Sequence, residues 1–267
     1  MKPLVCALMV SLISAVAIGQ EIDKETVDEK NPRLVVTIEY VAHACFRIST
    51  PDGANILIDP YASRYWIGYE FPEKLEPEEI FITHPHYDHD GGVSVGREFP
   101  FAESIPVRRD PGPYTVGEMR ITGIAGRHAR NYGRAFDHKN TIWRIEVDGL
   151  SIVHLGDNGA LTSKVVEQLG RVDILMAPID GEDHILTVEE IEDIRKALKP
   201  RLLIPMHYRI PELEAPDRPR GLGPIDPWLG ERENVVRLET NRQDISADSL
   251  PTEPKILVFR HSPDIEK

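Results

Sequence analysis

The spacing of apolar and polar positions changes several times along the chain, and each change marks an element. Leu34 to Val41 is rich in β-branched residues and reads as a strand, Ala44 to Ile48 as a second, and Asn55 to Ile58 as a third. Pro51-Asp52-Gly53 between the last two is a hairpin-type turn signal. Tyr61 to Pro77 mixes aromatics and charges without a period and reads as loop, and Glu79 to Thr83 is a short buried strand that runs into a histidine cluster. Asp90 to Pro113 is rich in Gly and Pro and only weakly periodic. Met119 to Ile124 predicts a strand, and Thr141 to Val147 with Leu150 to Leu155 predict a hairpin around Asp148-Gly149. Apolar residues at Leu161, Val165 and Leu169 predict a helix, and Val172 to Ala177 a buried strand. Thr187 opens a second helix as N-cap, with Glu190 completing a capping box and Pro200 ending it. Leu202 to Met206 is another strand that runs into a histidine, and Lys255 to Arg260 a closing one. Between them Pro211 to Pro254 is proline-rich and long for a structureless loop, with a short helix expected within Trp228 to Leu238. Hairpins first, then strands alternating with helices, predict a layered α/β domain. No linker divides it, so residues 34–262 are read as one domain.

The segment ahead of that domain has a different character. Lys2 is followed by an almost wholly apolar run from Leu4 to Ile18, broken only by Ser11 and Ser14, and Ala17-Ile18-Gly19 offers small residues for cleavage. Residues 1–19 are therefore read as a secretory signal peptide and residues 20–33 as a polar linker, which makes the protein secreted or periplasmic, with no membrane anchor after cleavage. An uncleaved anchor helix is the competing reading, but the run is short for a span and no basic flank follows it. The chain has 267 residues and two cysteines, Cys6 and Cys45. Removing the leader leaves Cys45 alone, so the mature chain has no internal disulfide, and Cys45 reads as a buried thiol within a strand. A formal charge of −13, with no basic patch, disfavours nucleic acid as partner. The oligomeric state is not legible.

Chemistry concentrates in Thr83-His84-Pro85-His86-Tyr87-Asp88-His89-Asp90-Gly91-Gly92, where four potential metal ligands fall within six positions. In extended backbone His84 and His86 point the same way. After a turn, Asp88 and His89 can return to the same space, and the two glycines permit the tight path. Imidazoles suit zinc and iron, and a carboxylate adds a harder ligand that manganese also accepts. Three other residues follow predicted strands, namely His128, Asp157 and His207. Taken singly, His128 and His207 are open between ligand and structural roles, and Asp157 reads as a helix cap.

Together these stretches resemble the metallo-β-lactamase superfamily. Thr83 to His89 is similar to its H-x-H-x-D-H signature, Ile56 to Pro60 to the strand before it, Gly126-Arg127-His128 to the next histidine, Leu155-Gly156-Asp157 to the Gly-Asp pair, and Ile204 to Tyr208 to the last histidine. The resemblance implies an αββα four-layer sandwich with the metals at one edge between the sheets. It further implies that His84, His86 and His128 bind one metal, that Asp88, His89 and His207 bind a second, and that Asp157 bridges them. Asp59 would orient a ligand loop from behind. Within the superfamily the chain looks closer to the L-ascorbate-6-phosphate lactonase-like branch, on Val41 to Phe46, with Ala42 in place of glycine, and on Ala177 to Gly181, where Asp180 departs from the pattern. That branch is mostly cytoplasmic, and the segment after Gly92 is less helical here.

Two divalent cations offset by Asp88, Asp157 and a bridging hydroxide leave about one net positive charge, enough to polarise a carbonyl or phosphoryl oxygen. The expectation is a binuclear hydrolase in which metal-bound hydroxide attacks an ester, lactone or related bond of a small molecule, with Asp88 orienting the nucleophile and shuttling its proton. Zinc is the expected metal, with manganese or iron as alternatives. A phosphodiesterase using the same centre and a non-catalytic metal-binding module are the competing functions. His43 and His184 are candidates to face substrate, His154 reads as a packed structural residue, and His138 and His261 as surface residues. Trp66 and Tyr208 could wall the pocket or pack in the core.

Overall fold

The computed structural model describes residues 33–180, 184–213 and 222–265. The leader expected over 1–19 and nearly all of the linker over 20–33 lie outside the described residues.

The early hairpins build most of one sheet. β1 (Val36–Ala42), β2 (Cys45–Ser49) and β3 (Asn55–Ile58) pair antiparallel in sequence order, and β4 (Glu79–Phe81) and β5 (Val107–Arg108) add parallel strands beside β3. The second sheet starts with the meander β6 (Gly112–Val116), β7 (Met119–Arg127), β8 (Lys139–Val147) and β9 (Leu150–His154). Helix α1 (Ser163–Leu169) leads to β10 (Ile174–Pro178), and helix α2 (Val188–Leu198) leads to β11 (Leu202–Met206), both strands running parallel to β9. The capping box expected at Thr187 and Glu190 is formed in both directions.

The proline-rich tail is more ordered than its sequence suggests. In place of a helix across Trp228 to Leu238 there is one short turn of helix, α3 (Asp226–Leu229), followed by strand β12 (Val235–Arg237). β13 (Arg242–Ile245) then crosses to the first sheet and pairs with β1, and β14 (Lys255–Val258) returns to the second, between β12 and β11. One segment thus edges both sheets. β12 and β13 escape the hydrophobic pattern because they are edge strands whose side chains are mostly in water.

Among the described residues the two sheets hold six and eight strands, and their facing sides share one core. Phe81 of β4 meets Trp143 of β8 edge to face with ring centroids 5.0 Å apart, which ties the sheets together. Cys45 lies fully buried in this core, with its thiol pKa pushed up by burial. Two features set up the site. The parallel strands β3, β4, β9, β10 and β11 end along one edge of the sandwich, where loops carry side chains rather than ladder bonds. The connection after β4 carries only a 3-10 turn, Val93–Val95, which Asp90 caps by accepting from Gly92 N–H and Ser94 N–H.

Candidate metal centre

Each site residue lies in the loop that follows a strand. His43 occupies the β1–β2 turn, next to a register shift between Tyr40 and Ala42, and Asp59 follows β3. His84, His86, Asp88 and His89 follow β4, His128 follows β7, Asp157 follows β9 and His207 follows β11. His43, Asp59 and His207 hold left-handed backbone, with φ of 58°, 50° and 65°. Non-glycine residues adopt this at a cost of about 1–2 kcal/mol each, and such strain collects where side chains must be aimed. Main-chain bonds lock the loops to one another. His207 N–H donates to His43 O, Ala129 N–H to Asp157 O, Thr141 N–H to Thr83 O and His128 N–H to His138 O, each at 2.8 Å.

The side chains converge into two groups of four. His84, His86, His128 and Asp157 form one, and His43, Asp88, His89 and His207 the other; within each, one ligand atom per residue lies within 4.8 Å of all the rest. Asp157 stands between them. Its carboxylate is 3.8 Å from His84 Nε2 and 3.5 Å from His128 Nε2 in the first group, and 3.4 Å from His89 Nε2 and 3.3 Å from His207 Nε2 in the second.

Hydrogen bonds behind the imidazoles decide which nitrogens carry lone pairs. Asp59 is fully buried and accepts from Thr83 N–H at 2.7 Å, Thr83 Oγ1–H at 2.7 Å and His89 Nδ1–H at 2.8 Å. With its proton committed to Asp59, the Thr83 hydroxyl can only accept from His84 Nδ1, 2.9 Å away. His128 Nδ1–H donates to Ala129 O at 2.7 Å and His86 Nε2–H to Tyr132 O at 3.2 Å. The nitrogen left to face the site is thereby Nε2 of His84, His89 and His128 and Nδ1 of His86. Two of these, His84 Nε2 and His86 Nδ1, face each other at 3.0 Å, an arrangement that calls for a proton or a cation between them. Among the described residues, buried Nε2 of His89, His128 and His207 and Oδ1 of Asp157 have no hydrogen-bond partner. Five imidazoles, four of them buried and that of His86 half-buried, and two buried carboxylates converge there, a donor set that fits divalent metal ions.

Charge reinforces the geometry. Burial opposes ionisation of Asp88 and Asp157, but the surrounding imidazoles, His89 for Asp88 and His207 and His89 for Asp157, override it and hold both carboxyls well below the usual range. Burial likewise disfavours protonated His207 and His89, yet the Asp157 carboxylate outweighs it, raising His207 to about 9 and His89 well above its ordinary value. Burial and His207 push His43 down to about 3. Burial also lowers His84 well below, and His86 below, the ordinary histidine range.

Aromatic rings surround this cluster. His184 stacks at 5.7 Å on His207, at 5.1 Å on Tyr132 and at 6.0 Å on Trp66, which itself lies 6.4 Å from His43. Trp66 and His184 are thus at the site, whereas Tyr208 is buried against Tyr40 at 6.4 Å and belongs to the core. His154 is structural: Nε2–H donates to Ala44 O at 2.9 Å and Nδ1 accepts from Gly156 N–H at 3.1 Å. The surface reading of His138 and His261 needs correction, since both are half-buried. His138 in fact supplies the carbonyl that holds His128, a contact made by main chain that no side-chain pattern announces. Thr83 was also missed as a tautomer-setting residue, although its place directly before His84 was the available signal.

No helix among the described residues is long and apolar enough to cross a membrane. Residues 37–207 match the family described as the beta-lactamase superfamily domain. A metal-dependent hydrolase from Thermococcus onnurineus is 28% identical over 194 residues, covering 65% of this chain and 85% of that protein. A solved structure from Thermotoga maritima, a candidate Zn-dependent hydrolase of the metallo-beta-lactamase superfamily, shares 25% identity at a TM-score of 0.60, covering 84% of this chain and 98% of its own. A metallo-beta-lactamase fold protein from Bacillus subtilis, 14% identical with a TM-score of 0.52 over 89% of this chain and all of its own, shares the fold.

Proposed function

The chain belongs to the beta-lactamase superfamily and is a metal-dependent hydrolase, and from that premise we propose that it is an exported enzyme with a two-metal centre that opens an ester, lactone or related bond of a small molecule. The observation that carries the two-metal reading is Asp157, whose carboxylate lies 3.3–3.8 Å from imidazole nitrogens of both groups. In this reading His84, His86 and His128 hold one ion, Asp88, His89 and His207 hold the other, and Asp157 touches both. The imidazole-rich donor set favours zinc, with manganese and iron as competitors.

Divalent ions bound there would acidify water from a pKa of about 15.7 toward about 7 and polarise the scissile bond. The chain's own residues do the rest. Asp88, ionised and buried, would orient the attacking water and shuttle its proton. Asp59 and Thr83 hold the Nδ1 protons of His89 and His84, so that Nε2 of each ring is turned to the site. Trp66 lies edge-on to His43, His184 stacks on His207, and Tyr132 stacks on His184, an aromatic wall suited to a small organic substrate. Export rests on Lys2 and the apolar run from Leu4 to Ile18, and predicts a mature chain that begins at Gln20.

The test is a panel of esters, lactones and phosphodiesters offered to chelator-treated protein before and after zinc or manganese is restored. The reading expects turnover that appears with metal and is lost in His128→Ala. Turnover undiminished by removal of metal would contradict it. N-terminal sequencing of protein recovered outside the cytoplasm tests export, and an intact Met1 there would contradict cleavage.

A further inference from the structure

His43 lies outside the signature residues and sits in a turn that hairpin geometry alone does not require to be histidine. It is fully buried, and its backbone is left-handed at φ 58°. Two hydrogen-bond contacts run from this one residue to the site. Its carbonyl accepts the main-chain N–H of His207 at 2.8 Å, and its Nε2 lies 3.1 Å from Asp88 Oδ2. The same carbonyl accepts the Tyr40 hydroxyl at 3.1 Å, which ties the turn to the core. Both partners at the site, Asp88 and His207, belong to the second group of ligands, and neither belongs to the first.

We propose that His43 is a positioning residue that braces the second metal position, holding Asp88 through its ring and His207 through its carbonyl. The inference rests on the two-metal reading above. Carboxylates accept and do not donate, so the proton in the 3.1 Å contact is on His43 Nε2. That nitrogen then has no lone pair to give a metal. His84, His89 and His128 are arranged oppositely, each donating from Nδ1 to a protein oxygen and leaving Nε2 open. The His43 ring packs against that of His207, with centroids 4.1 Å apart, so it also fixes where that imidazole stands. Asp88 Oδ2 is also the oxygen that faces Nε2 of His89 and His207, at 3.7 Å from each, so a hydrogen bond from His43 to it sets the orientation of that carboxylate and, through it, the affinity of the ion it would hold. The Asp88 arm acts through a side chain and can be removed by substitution, while the His207 arm is main chain and remains.

The experiment is a chelator-competition titration with zinc on the full chain, comparing wild type, His43→Ala and His43→Gln. Wild type is expected to bind two zinc ions. His43→Ala is expected to keep the tighter site within about twofold and to weaken the other by about 10–100-fold. His43→Gln carries an amide N–H at the reach of Nε2 and is expected to recover much of that loss. Should alanine fail to fold, His43→Phe keeps the ring volume without the donor and is expected to bind zinc as weakly at that site. Unchanged affinity at both sites in His43→Ala would overturn the brace. A glutamine variant as weak as alanine, with altered cobalt absorption bands, would also overturn it by making His43 a ligand. Fewer than two zinc ions on wild type would instead remove the two-metal reading beneath it.

Discussion

Replacing Asp59 by asparagine removes one charge and almost no volume, yet it reaches one ligand in each group. Three donors converge on this carboxylate, namely Thr83 N–H, Thr83 Oγ1–H and His89 Nδ1–H. An amide has one accepting end. If its oxygen takes the Thr83 N–H, its NH2 group faces the threonine hydroxyl and His89 Nδ1, which must both turn from donor to acceptor. The hydroxyl then gives its proton to His84 Nδ1, and His84 moves its own to Nε2. His89 is forced to the same tautomer. Two lone pairs aimed into the site are lost together. The opposite orientation sets NH2 against a main-chain N–H, which cannot adapt. Losing such an orienting partner costs about 10–100-fold in metal affinity, about 1.4 kcal/mol for each factor of ten, and here the loss falls on both positions. The fold itself should suffer less, on the order of 1–3 kcal/mol for the weakened buried bonds. Zinc competition on Asp59→Asn, with a thermal melt beside it, reads both quantities. Two zinc ions held with wild-type affinity would refute the tautomer argument, and a loss confined to one position would refute the Thr83 relay.

Protons compete with metal at these nitrogens. In chelator-treated protein His207 has a pKa of about 9, raised by Asp157 against the effect of burial. The stability this group contributes is therefore fully present below its ordinary pKa of about 6.5 and lost as pH rises through about 9. Metal affinity moves the other way, climbing up to tenfold per pH unit for that proton and levelling above about 9; affinity flat from pH 6.5 to 8.5 would contradict this. Gly156→Ala would place a Cβ 2.6 Å from Thr83 Oγ1 at φ 57°, so overpacking and left-handed strain of about 1–3 kcal/mol should lower the Tm and disturb the Thr83 relay. A wild-type melt and wild-type zinc affinity in that variant would count against the close packing. Thr187→Ala serves as a contrast, because its capping box lies on α2: about 1 kcal/mol of stability should go while metal binding stays unchanged.

The candidate site was legible where its candidate ligands follow strands with clear apolar patterns. β4, β9 and β11 are largely buried runs, and His84, Asp157 and His207 come one to three residues after their ends, so the chemistry stands just past where the period stops. Asp59 was legible as a supporting acceptor through its place after Ile56-Leu57-Ile58. The illegible parts have physical reasons. The brace at His43 depends on a bulged turn and a carbonyl directed at His207, and neither leaves a trace in residue type. The carbonyl of His138 holds His128 in the same silent way. β5, β12 and β13 are two to four residues long, with few buried side chains, and exist because a neighbouring strand offers them a ladder.

The central claim is that Asp157 joins two metal ions in one centre. Elemental mass spectrometry on protein purified without chelator, for wild type and Asp157→Ala side by side, tests it most directly. The account predicts about two metal ions per wild-type chain and fewer than two in the variant. Wild-type protein that holds no stoichiometric metal, even after incubation with zinc or manganese, would contradict it.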